Sequence, residues 1–142
     1  MRDAARFFKV LADEARLKIL WLLFNHRELC VCDFMETLGI TQSKASRHLI
    51  TMRHAGLVTD RKDGLWSYYT LRPVEDDFAK RHLNVLRATL AQRSDAAPLL
   101  AKLHTWLQTK NLGANCSKAS TAAPRKKLPG RAKQAQIALG SR

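Results

Sequence analysis

Cys30 and Cys32, separated by a single valine, are the residues of this chain best placed to do chemistry. Paired thiolates choose soft ions. Cd(II) and Pb(II) prefer sulfur to oxygen, and trivalent arsenic or antimony forms pyramidal sites on two or three thiolates. The chain has three cysteines, which cannot all pair with one another, and a separation of two residues is too short for an ordinary structural disulfide. If the pair opens a helix, the positive end of the helix dipole lowers the thiol pKa and favours thiolate. Residues i and i+2 of a regular helix point to different faces, so one ion held by both must bend or unwind the helix start. The plainer reading of the pair is two small buried hydrophobes. Cys116 is either a remote third ligand or a bystander.

A second set of residues suits nucleic acid. Gln42, Ser43, Lys44, Ser46 and Arg47 share the polar side of one helical stretch, whose opposite side carries Ala45, Leu49 and Met52. Gln42 and Lys44 can meet base edges or phosphates, and the short Ser43 and Ser46 allow close approach to the backbone. Arg47 has the reach and planarity for a bidentate contact to guanine. His48 fits either a DNA contact or a structural bridge from this helix to a following hairpin. Arg61 and Lys62 sit beside that hairpin's turn, where a tip would reach the adjacent minor groove or backbone.

The elements that must position these residues follow from pattern. Ala4, Phe7, Phe8 and Leu11 predict a first helix over 3–11, and Asp13 is placed to cap a second that ends at Asn25 and His26. A third, from about Val31 to Leu38, stops at Gly39, and Thr41 caps the polar-faced helix that Gly56 closes. The four-residue break from Gly39 to Gln42 between a short helix and a polar-faced one is the helix–turn–helix pattern. Runs 57–62 and 65–71 flank Asp63-Gly64, a hairpin signal in which both turn positions take positive φ. A hairpin after the polar-faced helix makes a wing. Helices over about 75–93 and after Ser94 or Asp95 complete the chain's ordered part, with Pro98 tolerated in a first turn.

The fold class is therefore mainly α with a β-hairpin wing: a winged helix–turn–helix over 1–112, followed by a basic segment, 113–142, expected to be disordered. The first and last two helices carry more Phe, Leu and Trp than a small winged domain buries alone. The expectation is a homodimer packed through its N- and C-terminal helices, its paired polar-faced helices matching double-stranded, palindromic DNA. The net charge is +13, and residues 116–142 hold seven basic and no acidic side chains. That balance suits phosphate neutralisation, and equally simple solubility. The opening segment lacks the apolar core of a secretory signal, and the longest apolar run, Ile19–Phe24, is far below the roughly 18 residues of a membrane span. A cytoplasmic protein with no membrane partner is expected. No phosphate loop or acid–base constellation accompanies the thiols, so an enzyme is not expected.

Glu28-Leu29-Cys30-Val31-Cys32-Asp33 resembles the metal-box signature of the ArsR/SmtB family of bacterial metal-sensing repressors. The runs Gln42–Leu49 and Ala55-Gly56-Leu57-Val58 are similar to that family's recognition helix and wing entry, and the likeness covers roughly residues 4–107. Among its members, the arsenic-responsive repressors are most alike. The resemblance implies a DNA-binding repressor that leaves its operator when As(III) or Sb(III), as inducer, binds the cysteines, with no organic cofactor. It also implies a departure: those repressors commonly carry a third cysteine where this chain has Met35, a poor As(III) ligand. Cys116 is then the candidate third donor. The family's interhelical zinc site needs Asp-x-His and, eleven residues on, a further His. Asp77-Phe78-Ala79 and Leu90 break that pattern, and His82 and His104 do not restore it. A Cd(II)- or Pb(II)-responsive repressor and a thiol-redox repressor are the alternatives.

Overall fold

The structure, a computed structural model, describes residues 1–111. The expected segment 113–142, and Cys116 within it, lie outside the described residues. The order is α1 (Arg2–Leu11), α2 (Glu14–Asn25), β1 (Leu29–Cys30), α3 (Val31–Leu38), α4 (Gln42–His54), β2 (Val58–Asp63), β3 (Trp66–Leu71), α5 (Asp77–Leu90) and α6 (Ala96–Asn111).

Local signals set most of these boundaries. The Asp13 carboxylate accepts the Arg16 N–H at 3.1 Å, opening α2, and the Thr41 hydroxyl oxygen accepts the Lys44 N–H at 3.3 Å, opening α4. Gly39 ends α3 at φ +64°. A Cβ there would meet nothing within 4 Å, so it is backbone conformation and not space that calls for glycine. The turn between α3 and α4 is thereby kept short.

The hairpin differs from expectation by one residue. Asp63 pairs with Trp66, so the turn is Gly64-Leu65, and Gly64 alone of these residues has positive φ, at +61°. Asp63 stays in the strand, and glycine in the first turn position matches a primed turn that needs only one left-handed residue. The second difference is β1, two residues too short to show a period of its own. It adds to the hairpin with Leu29 opposite Tyr69 and Cys30 opposite Tyr68, giving the sheet order β1-β3-β2.

The main core lies between α2, α4, the sheet and α6, built on Ile19, Leu20, Leu22, Leu29, Phe34, Leu49, Met52 and Leu103, all fully buried. Helix α6 contributes to this core: Leu103 and Trp106 enter it, and Trp21 Nε1 donates to the Ala96 carbonyl at 3.0 Å. Exposed apolar residues remain on α1 and α5. There Phe7 and Phe8 stand edge to face against Phe78, and Phe8 against His82, with Phe8 47% and Val85 62% exposed. No helix among the described residues is long and apolar enough to cross a membrane.

The far end of α6 is fixed by charge. Lys110 Nζ lies 2.9 Å from Asp33 Oδ1, both side chains wholly buried, and the same oxygen accepts the Trp106 Nε1 proton at 2.9 Å. Removing one member of such a pair leaves the other charge buried and uncompensated. Lys110→Ala should cost about 3–5 kcal/mol in urea unfolding, with part regained in the Asp33→Asn/Lys110→Met double variant. A loss below about 1 kcal/mol for the single variant would show that the pair does not anchor α6.

Candidate functional site

Cys30 is held by the sheet and Cys32 by the helix. Cys30 is the N-cap of α3, with extended backbone (φ −79°, ψ 157°), and belongs to β1, whereas Cys32 lies in the first helical turn. Because Cys30 stands outside the helix, the two side chains converge, and their sulfurs are 2.9 Å apart. The expectation that a shared ion must unwind the helix start is corrected by this geometry: the spacing i, i+2 separates side chains only when both residues are helical.

The pair is closed off from water. Cys30 is 1% exposed and Cys32 2%, and together with Tyr68 they form a small core of their own, with Trp66 packed on it. Burial pushes the Cys30 thiol up to about 12, and the neighbouring Asp33 carboxylate adds to the rise, while Lys110 and the backbone amides of the helix start oppose it. The expected lowering by the helix dipole is therefore outweighed, since desolvation in a sealed site exceeds the effect of a helix end. Asp33 also organises the turn, its Oδ2 accepting the Cys30 N–H at 2.7 Å. Met35 is buried in the body of α3.

The sulfurs connect to the wing through one row of side chains. Cys30, Tyr68 and Arg61 lie abreast on neighbouring strands. The Arg61 guanidinium sits 4.6 Å from the Tyr68 ring centre and donates to both carboxylate oxygens of Glu28, at 2.8 and 2.7 Å. Burial, with the nearby Cys30, raises the Tyr68 phenol well above its ordinary value, so it stays protonated. Arg61 thus ties the chain just before Cys30 to the wing, where the sequence suggested a tip contact. Lys62 is exposed next to it.

On α4, Ser43, Lys44 and Arg47 are exposed and Gln42 and Ser46 half-buried, and none of these side chains has a hydrogen-bond or ionic partner among the described residues. His48 turns the other way: its Nδ1 lies 3.4 Å from an Arg16 guanidinium nitrogen and 3.9 Å from the Asp13 carboxylate. It bridges α4 to the start of α2, not to the wing. Arg53 reaches Asp60 of β2 at 3.3 Å, joining the end of α4 to the wing.

Sequence reasoning passed over Trp66, Tyr68 and Lys110, and gave Glu28 and Trp106 no individual role at the site. Asp33 carried a signal, an acid three residues after an N-cap. The others had none, because their roles depend on strand pairing and on the return of α6 from 77 residues away.

The family described as "Bacterial regulatory protein, arsR family" matches residues 13–60. The arsenical resistance operon repressor of Escherichia coli (strain K12) is 52% identical over 68 residues, covering 48% of this chain and 58% of the relative. That of Bacillus subtilis (strain 168) is 43% identical over 75 residues, 53% of this chain and 71% of the relative. A cadmium resistance transcriptional regulatory protein CadC homolog of Staphylococcus aureus is 36% identical over 95 residues, 67% of this chain and 74% of the relative. The chain thus spans little more than half the length of the first of these, and more of the others. Among solved structures, reduced HlyU from Vibrio cholerae N16961 aligns with TM-score 0.55 and 33% identity over 64% of this chain and 92% of that one. The homodimeric winged helix-turn-helix DNA-binding domain of Mb0332 from Mycobacterium bovis aligns with TM-score 0.52 and 27% identity, covering 66% and 82%. With a winged helix–turn–helix behind a Cys-x-Cys turn, and relatives of this identity and coverage, the chain belongs to the ArsR family of bacterial regulatory proteins.

Proposed function

We propose that this protein is a transcriptional repressor that binds a palindromic operator as a homodimer and releases it when As(III) or Sb(III) binds Cys30 and Cys32. The observation that carries the reading is the 2.9 Å approach of two buried sulfurs at the first turn of the helix that leads into α4. The arsenical resistance named in two relatives supports it. In this reading Gln42, Ser43, Lys44, Ser46 and Arg47 meet the major groove and Lys62 the flanking backbone, with His48 and Arg61 holding α4 and the wing in place. Cys116, outside the described residues, supplies the third sulfur, and α1 and α5 form the dimer contact.

The proton balance favours a metalloid. Neutral As(OH)₃ condenses with thiols: an S–As bond forms, an As–O bond breaks, and the thiol proton leaves with the hydroxyl as water. With both cysteines reduced to thiols, no net proton is released and no redox change occurs. A divalent cation instead has to expel each thiol proton to solvent, which a site that holds Cys30 protonated up to about pH 12 resists. The sulfurs, 2.9 Å apart beneath Tyr68, leave little room for a third atom, so occupation pushes against β3 and the start of α3 together. Both lead directly to the DNA-reading surface.

Four tests bear on this reading. In gel shifts, Arg47→Ala should lose specific operator binding with an unchanged circular dichroism spectrum. Cys30→Ser and Cys32→Ser should keep the operator and lose the As(III) response, and an unaltered response in both would remove the sulfur site. Between about pH 6 and 8, the concentration of Cd(II) or Pb(II) needed for release should fall about tenfold per unit for each proton displaced, while that of As(III) changes little. An As(III) response as steep as that of Cd(II) would contradict the condensation chemistry. Val85→Arg should shift the protein to monomer in sedimentation and weaken operator binding, and an unchanged dimer would move the contact elsewhere.

A further inference from the structure

His104 meets another histidine at the end of α2. His26 is the residue that ends α2, and His104 lies in the middle of α6, two residues before Trp106. Their Nε2 atoms are 3.1 Å apart, and the rings stand at 65° with centres 5.1 Å apart, at the surface. Two imidazole nitrogens on one tetrahedral ion, each at about 2.0–2.1 Å, lie about 3.3 Å from one another. The pair is therefore within a few tenths of an ångström of the bite of a single metal ion, and it needs no backbone movement to reach it.

We propose that His26 and His104 form a second metal site, distinct in position and chemistry from the cysteines, for a divalent cation of borderline softness: Zn(II), Co(II), Ni(II) or Cu(II). Imidazole suits these ions, whereas As(III) and Sb(III) select sulfur. No group of three or more His, Cys, Asp or Glu side chains gathers among the described residues, which therefore offer this site two ligands. An ion there clamps the end of α2 to α6. The clamp is close to functional residues on both sides: His26 comes four residues before Cys30, and His104 lies on the helix whose Trp106 and Lys110 hold Asp33. The ion stabilises the folded arrangement that presents both rings.

Co(II) titration of the full chain separates this site from the sulfurs without altering them, because thiolate–cobalt bonds give intense near-ultraviolet charge-transfer bands and imidazole–cobalt bonds do not. The expected result is one Co(II) per chain without that band, with paramagnetic broadening of the His26 and His104 ring resonances. His26→Gln and His104→Gln, both near the surface, should each weaken this binding about tenfold or more, while His54→Gln leaves it unchanged. Unchanged affinity in the two variants, equal loss in His54→Gln, or binding that always carries the thiolate band would each overturn the site and reduce the contact to a histidine–histidine hydrogen bond. None of these outcomes bears on As(III) release, which depends on Cys30 and Cys32.

Discussion

One carboxylate, that of Asp33, holds together the parts of this protein that have to act together. It is wholly buried, and its oxygens accept from the Cys30 amide, the Trp106 indole and the Lys110 ammonium. A charge taken out of water in this way is tolerated only when its partners stay in place. The group therefore fixes three things at once: the turn that carries Cys30, the direction in which α3 starts, and the seat of the last two turns of α6. Replacing Asp33 and Lys110 together with apolar residues of similar size need not lose much stability. It would lose the requirement that these three elements move as one.

That requirement gives the cysteines their leverage. A pair of sulfurs on a free helix end could bind an ion with small local adjustments. Here Cys30 is also a strand residue, flanked by Tyr68, and Tyr68 lies under an arginine held by Glu28. The sulfurs thus touch the middle strand of the wing directly and lead to α4 through a turn kept short by Gly39. Arg53 and Asp60 close the loop between α4 and β2. In the proposed function, operator release follows because the site has no soft neighbour to absorb an added atom. In the same proposal burial acts chemically as well, by pushing the Cys30 thiol up.

Much of this was legible in the sequence, for reasons that are local. Asp13, Thr41 and Gly39 each mark a helix end through chemistry confined to a few neighbouring residues, and the alternation of polar and apolar residues on α4 fixed which side faces the core. What escaped was non-local. Two residues of β1 have no period, and only their partner strand makes them a strand. Without β1, Cys30 reads as helical, its sulfur points away from that of Cys32, and a helix dipole seems to govern its pKa. Arg61 illustrates the same limit, because nothing near it in sequence shows that Glu28, 33 residues earlier, pairs with its guanidinium.

The central claim is that the sulfurs and the DNA-reading surface form one mechanically continuous unit. Hydrogen–deuterium exchange of the full protein with and without one equivalent of As(III) tests it most directly. The account predicts altered protection in β1 and α3, continuing into β3 and α4, with the α1 and α5 amides little changed. Changes confined to the two cysteines and their immediate neighbours, with β3 and α4 exchanging as before, would contradict it.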